Sequence, residues 1–193
     1  MNDLLKCLVG RIQARPAHLQ SVYLGGNALP SALMKHVIDA FALSPPAAES
    51  TKTAWHGYVL MPLGLGDIPE LVSSPVEVLM ARPDFVAQHP HLATAVARTI
   101  SRGGALFHSQ AEAAKTALRG HRFSHPHVLD EAVFHLAYTM VAAAMPPWGD
   151  MTVEGWQKVI AFATSAGVVQ ETATAPSAVE GVRWTNTYVG TGP

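Results

Sequence analysis

Two short turns carry the residues best suited to chemistry. Gly25-Gly26-Asn27 follows the apolar run Ser21–Leu24, and Ser44-Pro45-Pro46 follows the run Val37–Leu43. Backbone N–H groups of a glycine turn leading into a helix suit a sulfonate or carboxylate, because the helix start carries unspent donors and partial positive charge. Ser44 adds a hydroxyl that can donate one hydrogen bond. The ordinary alternatives are a βα turn capped by Asn27 and a strand end marked by Ser44. Asp39 reads as structural, its carboxylate fixing a neighbouring backbone turn.

Other chemistry has little support. There are ten histidines, and His121, His125 and His127 gather around Pro126, but no carboxylate or cysteine stands at metal-ligand spacing. No G-x-S-x-G turn or H-E-x-x-H pair occurs. Gly64-x-Gly66 lacks the third glycine and the helix of a dinucleotide site. Cys7 is the only cysteine, which excludes an internal disulfide and a CxxC centre. The sequence therefore predicts no catalytic residue, no metal and no cofactor.

The elements around those turns follow from pattern. Ser21–Leu24, Val37–Leu43, Trp55–Met61 and Pro75–Arg82 are apolar at most positions and bounded by Gly or Pro, which predicts buried strands. Asn27 is a good cap, Pro30 is tolerated in a first helical turn, and Leu29, Leu33, His36 and Val37 follow at helical spacing. Strand, glycine turn, helix, strand and proline turn make a βαβ unit, with both turns at strand carboxyl ends, where open α/β sheets bind ligands. Pro46 and Ala47 open a further short helix.

Beyond Pro83 the pattern is helical. A helix from His89-Pro90 is predicted to bury Leu92, Val96, Ile100 and Leu106 or Phe107. Ser109 is predicted to cap the next. Pro126 opens a third, with Leu129, Ala132, Val133, Leu136, Ala137, Met140 and Val141 on one face, and Pro146-Pro147 ends it. Thr152 caps a last helix that buries Trp156, Val159, Ile160 and Ala163, and Gly167 closes it. Met140, Met145 and Trp148 read as core. The tail is turn-rich, with Trp184 and Tyr188 as anchors.

The net charge of −1 and the thirteen scattered Lys and Arg residues provide no field for nucleic acid or an acidic membrane. No secretory leader and no apolar run of about 20 residues is readable.

The series Val37-Ile38-Asp39-Ala40-Phe41-Ala42-Leu43-Ser44-Pro45-Pro46, Gly66-Asp67-Ile68-Pro69-Glu70, Val78–Phe85, His89-Pro90-His91-Leu92 and Met151–Gln157 resembles the C-terminal part of substrate-binding proteins of ABC importers. The branch is that of sulfonates, taurine, nitrate and thiamine-pyrimidine precursors. Order and spacing agree from about residue 20 to 170; no single motif is specific, but the series is. His36 stands where that family usually has glycine, and His91 where its Asn-Pro-Glu-Leu has glutamate. The resemblance implies an α/β chain of periplasmic-binding-protein type II, incomplete because the first lobe is missing. Residues 1–75 would be a partial second lobe, 76–172 the return strand and C-terminal helical region, and 173–193 a tail.

It further implies a small anionic or heteroaromatic solute held in an interlobe cleft by Gly25, Gly26, Asn27, Ser44 and Pro45 and delivered to permease subunits. The setting would be periplasmic, or extracellular and membrane-associated, and the full-length protein a monomer. Two alternatives stand beside it. One is a truncated remnant without independent activity. The other is an enzyme like the thiamine-pyrimidine synthases of the same fold, which carry a cysteine-rich stretch that this chain lacks.

Overall fold

The computed structural model describes residues 20–75, 77–121, 129–165, 169 and 177–189. Its regular elements are helical: α1 Leu29–Met34, α2 Ala47–Trp55, α3 Pro83–Gln88, α4 Pro90–Ser109, α5 Ala111–Gly120, α6 Glu131–Ala144 and α7 Val153–Ser165. Single 3-10 turns stand at Gly26–Ala28, Leu63–Leu65 and Pro69–Leu71.

No β-strand occurs among the described residues, so the α/β expectation is incorrect. The segments 21–24, 37–43 and 56–61 and the described part of 75–82 run without a ladder. Trp55, read as the start of a strand, closes α2 instead. The physical reason is non-local. An apolar run becomes a strand only when another backbone satisfies its N–H and C=O groups. Here much of the runs is left facing solvent: Tyr23 is 97% exposed, Tyr58 91% and Met80 84%, while Ile38, Phe41 and Ala42 are half-buried.

The helices lie near the places that local signals mark. Pro90 stands in the first turn of α4, where its missing N–H costs nothing. Thr152 Oγ1 accepts the Gly155 N–H at 3.0 Å, capping α7 as expected. Ser109 does not cap α5; its hydroxyl donates back to Ala105 O at 2.9 Å, and Gln110 holds the cap position without a side-chain bond. Helix α6 starts at Glu131 behind Asp130, whose carboxylate accepts the N–H groups of Ala132 at 2.9 Å and Val133 at 3.4 Å. Pro126 and Gly167, assigned to helix boundaries by sequence, lie outside the described residues.

Helix α6 is the hub. One side packs on α2 and on the Leu63–Leu65 turn, where a Cβ on Gly64 would stand 2.9 Å from Met140 O. The other side buries Phe134 and Tyr138 toward α4 and α5, and Val133 and Ala137 complete its buried set. The buried strip is thus turned from the predicted one: Leu136, Met140 and Val141 are half-buried and Ala132 is exposed. Met145 and Trp148, read as core, are half-buried. Trp156, Val159, Ile160 and Ala163 of α7 are likewise half-buried. Helix α7 rests on the Pro69–Leu71 turn, and its Lys158 donates to Val72 O at 3.2 Å. The tail docks through Trp184, buried and stacked on Trp156 with centroids 6.1 Å apart. The Asn186 side chain completes that dock, pairing with both the N–H (3.0 Å) and the C=O (2.7 Å) of Met151.

Helix α4 covers the expected face only toward its C-terminal end, where Phe107 stacks on Tyr138. Its small residues, Ser101 and Gly104, are buried, and a Cβ on Gly104 would meet Met145 Sδ at 3.3 Å. Leu92, Val96 and Ile100 face solvent. Phe107 and Leu106 are half-buried. Small residues let a neighbouring backbone approach closely, and that contact sits at Gly104, one turn beyond Ile100 on the same row.

Candidate functional site

Gly25 is extended, with φ −60° and ψ 143°, and Gly26–Ala28 form one 3-10 turn that runs directly into α1. The Ala28 N–H donates to Gly25 O at 2.8 Å, and the Leu29 N–H donates to Gly26 O. Two donors that a helix start would offer an anion are therefore spent inside the turn. Asn27 is not the cap; Ala28 holds that position, without a side-chain bond. Six residues of helix also give α1 little dipole.

The second turn lies beside the first. A Cβ on Gly26 would stand 3.6 Å from both methyls of Leu43, the residue before Ser44. Gly25, Gly26, Asn27, Ser44 and Pro45 are all exposed, and the Pro45–Pro46 peptide is cis. The two turns thus share one face, open to solvent. Asp39 is exposed and accepts no hydrogen bond among the described residues, so it fixes no turn.

His36, at the far end of α1, has φ 55°. The Val37 N–H reaches Ala32 O at 2.9 Å and the His36 N–H reaches Leu33 O at 3.0 Å, the paired bonds of a Schellman helix end. Its left-handed position favours glycine for lack of a Cβ clash, at a cost to other residues of about 1–2 kcal/mol.

A second cluster, not anticipated from sequence, sits between α5 and α6. An open depression of about 630 Å³ is lined by Glu112, Lys115, Thr116, Arg119, Gly120, Glu131, Phe134 and His135. Lys115 Nζ donates to Glu112 Oε1 at 2.8 Å and stands 5.1 Å above the Tyr138 ring. Arg119 lies over Phe134, its Cζ 4.3 Å from the centroid, donates to Leu129 O at 2.7 Å, and pairs with Glu131. His135 Nε2 stands 2.8 Å from Glu131 Oε1. The hydrogen bond from Lys115 holds the Glu112 carboxyl below the usual carboxylate range. Burial pushes the Tyr138 phenol up, and its hydroxyl donates to Phe107 O at 2.8 Å. The sequence signal was present, in Glu112–Lys115 at i,i+3 and Glu131–His135 at i,i+4. The Arg119–Glu131 pair spans two helices and needed the fold.

In chemical terms the charges of this cluster are paired: Glu112 meets Lys115, and Glu131 meets Arg119 and His135. Its aromatic–cation layers lock α5 on α6. Among the described residues no group of three or more His, Cys, Asp or Glu side chains could hold a metal. His121 is exposed, and His125 and His127 lie outside the described residues. Two buried polar atoms lack a hydrogen-bond partner among the described residues, Glu49 Oε2 and Trp156 Nε1, and neither residue lines the depression.

No family model matches the chain, and neither the curated proteins nor the solved structures contain a match. Among the described residues no helix is long and apolar enough to cross a membrane.

Proposed function

We propose that this chain recognises a small anionic or heteroaromatic solute, without transforming it, and hands it to the membrane subunits of an importer. The observation that carries the reading is the approach of Gly26 to Leu43, which sets the Gly25–Asn27 and Ser44–Pro45 turns on one exposed face. It is supported by the motif series from Val37 to Gln157. Free N–H groups of the first turn and the Ser44 hydroxyl would bind sulfonate, carboxylate or nitrate oxygens. A periplasmic or extracellular, membrane-associated setting belongs to the same proposal.

Thermal unfolding against sulfonates, taurine, nitrate and aminopyrimidines tests it. A solute that binds only the folded chain stabilises it by about 2.7 kcal/mol at a hundredfold excess over Kd. One solute class should raise Tm, and Ser44→Ala should reduce the shift. Absence of any shift, with calorimetric titration silent as well, overturns the reading. A second reading, a chain with no ligand of its own, is favoured by the solvent-facing apolar runs around Tyr23, Tyr58 and Met80. The same silent result would support it.

A further inference from the structure

We propose that residues 177–189 form a strap that opens and closes over the start of α7 while the rest of the fold stays intact. The proposal stands independently of solute binding. The segment is held in shape by its own bonds. The Trp184 indole N–H donates to Ala178 O at 3.1 Å, the Gly181 N–H to Trp184 O at 2.8 Å, and the Asn186 N–H to Glu180 Oε1 at 2.6 Å. Among the described residues, the hydrogen bonds that leave the segment are the two between the Asn186 side chain and the backbone of Met151. The ring contact that leaves it is the stack of Trp184 on Trp156. Many contacts inside and few crossing to the body are what lets a segment detach as a unit.

The seat under the strap is not fully satisfied. Trp156 Nε1 is buried without a hydrogen-bond partner among the described residues, and a buried donor left unmet carries a desolvation penalty. Trp184 cannot relieve it, because an indole N–H only donates, and this one is taken by Ala178 O. The closed state therefore gains one buried ring and one amide pair, and keeps an unmet donor that water reaches once the strap lifts. Those opposing terms bring the open state within reach. Helix α7 has other moorings. Thr152 caps it and Lys158 ties it to Val72 O, and neither bond involves the strap. Opening uncovers the Trp156 ring beside the N–H and C=O of Met151, a seat that reads an aromatic ring and a carboxamide, as Trp184 and Asn186 present them.

Amide hydrogen exchange of the full chain tests it. The Met151 N–H is the reporter, because it donates to Asn186 Oδ1, and the Tyr138 amide in α6 reports global unfolding. Met151 should exchange about a hundredfold or more faster than Tyr138, yet more slowly than in an unstructured chain. Trp184→Ala leaves the Asn186 bond in place but removes the anchor, and should speed Met151 exchange by about tenfold or more with Tyr138 unchanged. A labelled peptide with the sequence of residues 177–189 should bind that variant, and bind the parent about tenfold or more weakly, since the parent's own strap competes within the chain. Equal exchange at Met151 and Tyr138 overturns the proposal, because the segment then opens only with the whole fold. So does loss of Tyr138 protection in Trp184→Ala, which would make the segment part of the core. Unchanged Met151 exchange in that variant, or a peptide that does not bind it, overturns the proposal as well.

Discussion

The α5–α6 pair and the extended runs between residues 20 and 82 have similar raw material and opposite outcomes. Both mix aromatic and aliphatic residues with few charges. Between α5 and α6, Phe134 and Tyr138 are buried, Phe107 stacks on Tyr138 with centroids 5.0 Å apart, and Lys115 and Arg119 lie over the rings. In the earlier stretch Tyr23 and Tyr58 are almost fully exposed, and Leu60 is 73% exposed. The difference is where hydrogen bonds are found. A helix satisfies its own backbone and has a face free to pack. An extended run must borrow a partner backbone before its side chains can be covered.

That contrast can be broken or sharpened by substitution. The largest effect should come from Phe134→Ala, which removes a buried ring that Arg119 covers. Urea unfolding should show a loss of about 3–5 kcal/mol, and a loss below 1 kcal/mol would mean the α5–α6 contact is not the stable part of the fold. Gly155→Ala comes next, because a Cβ there runs into the carbonyl oxygen of Ser73 and cannot move it without displacing the loop. A loss of about 1–3 kcal/mol is expected, read from the denaturant midpoint.

His36→Gly should act in the other direction. It relieves a left-handed residue at the α1 end, a gain of up to about 1 kcal/mol after the extra chain entropy of glycine is subtracted. His36→Ala keeps the Cβ and should give no such gain. If both variants have the same Tm, the strain is absent.

Tyr138 supplies a pH test. Its folded-state pKa is raised above the ordinary phenol value of 10.0 by burial. The folded state therefore holds the proton more tightly than the unfolded state. The resulting stability is complete below pH 10.0 and is lost as pH rises through the folded pKa. Tyr138→Phe should flatten the alkaline fall in Tm while costing about 1 kcal/mol at neutral pH through the lost bond to Phe107 O. An unchanged alkaline limb would assign that loss to other groups.

The smallest effect is expected for Tyr23→Ser with Tyr58→Ser. These side chains cover nothing, so stability should stay within about 0.5 kcal/mol of the parent. A large loss would show that the extended stretch is packed in solution, and the comparison between the two regions would fail.

Sequence pattern alone located much of the helical part and little of the candidate site. Pro90, Thr152 and Pro146 act within a turn of themselves, and the boundaries they mark are local consequences of a missing N–H or a side-chain oxygen. Asp130 carries the same kind of local signal, an Asp followed by Glu131 before an apolar run, in competition with Pro126 four residues earlier. The two turns were found as turns. Their juxtaposition was not, since it rests on Gly26 meeting Leu43 across a gap in sequence.

The sequence by itself determined that α4 is a helix with Leu92, Val96 and Ile100 in one row, because periodicity and proline are properties of the chain. Only the tertiary structure decided that the row faces outward. Burial was settled by what α4 packs against, through the close approach at Gly104 to Met145 and the Pro146–Pro147 carbonyls, which bulkier side chains would have prevented. It also decided that the apolar runs form no sheet, because strand pairing depends on a second backbone at the right distance, and no single run carries that information.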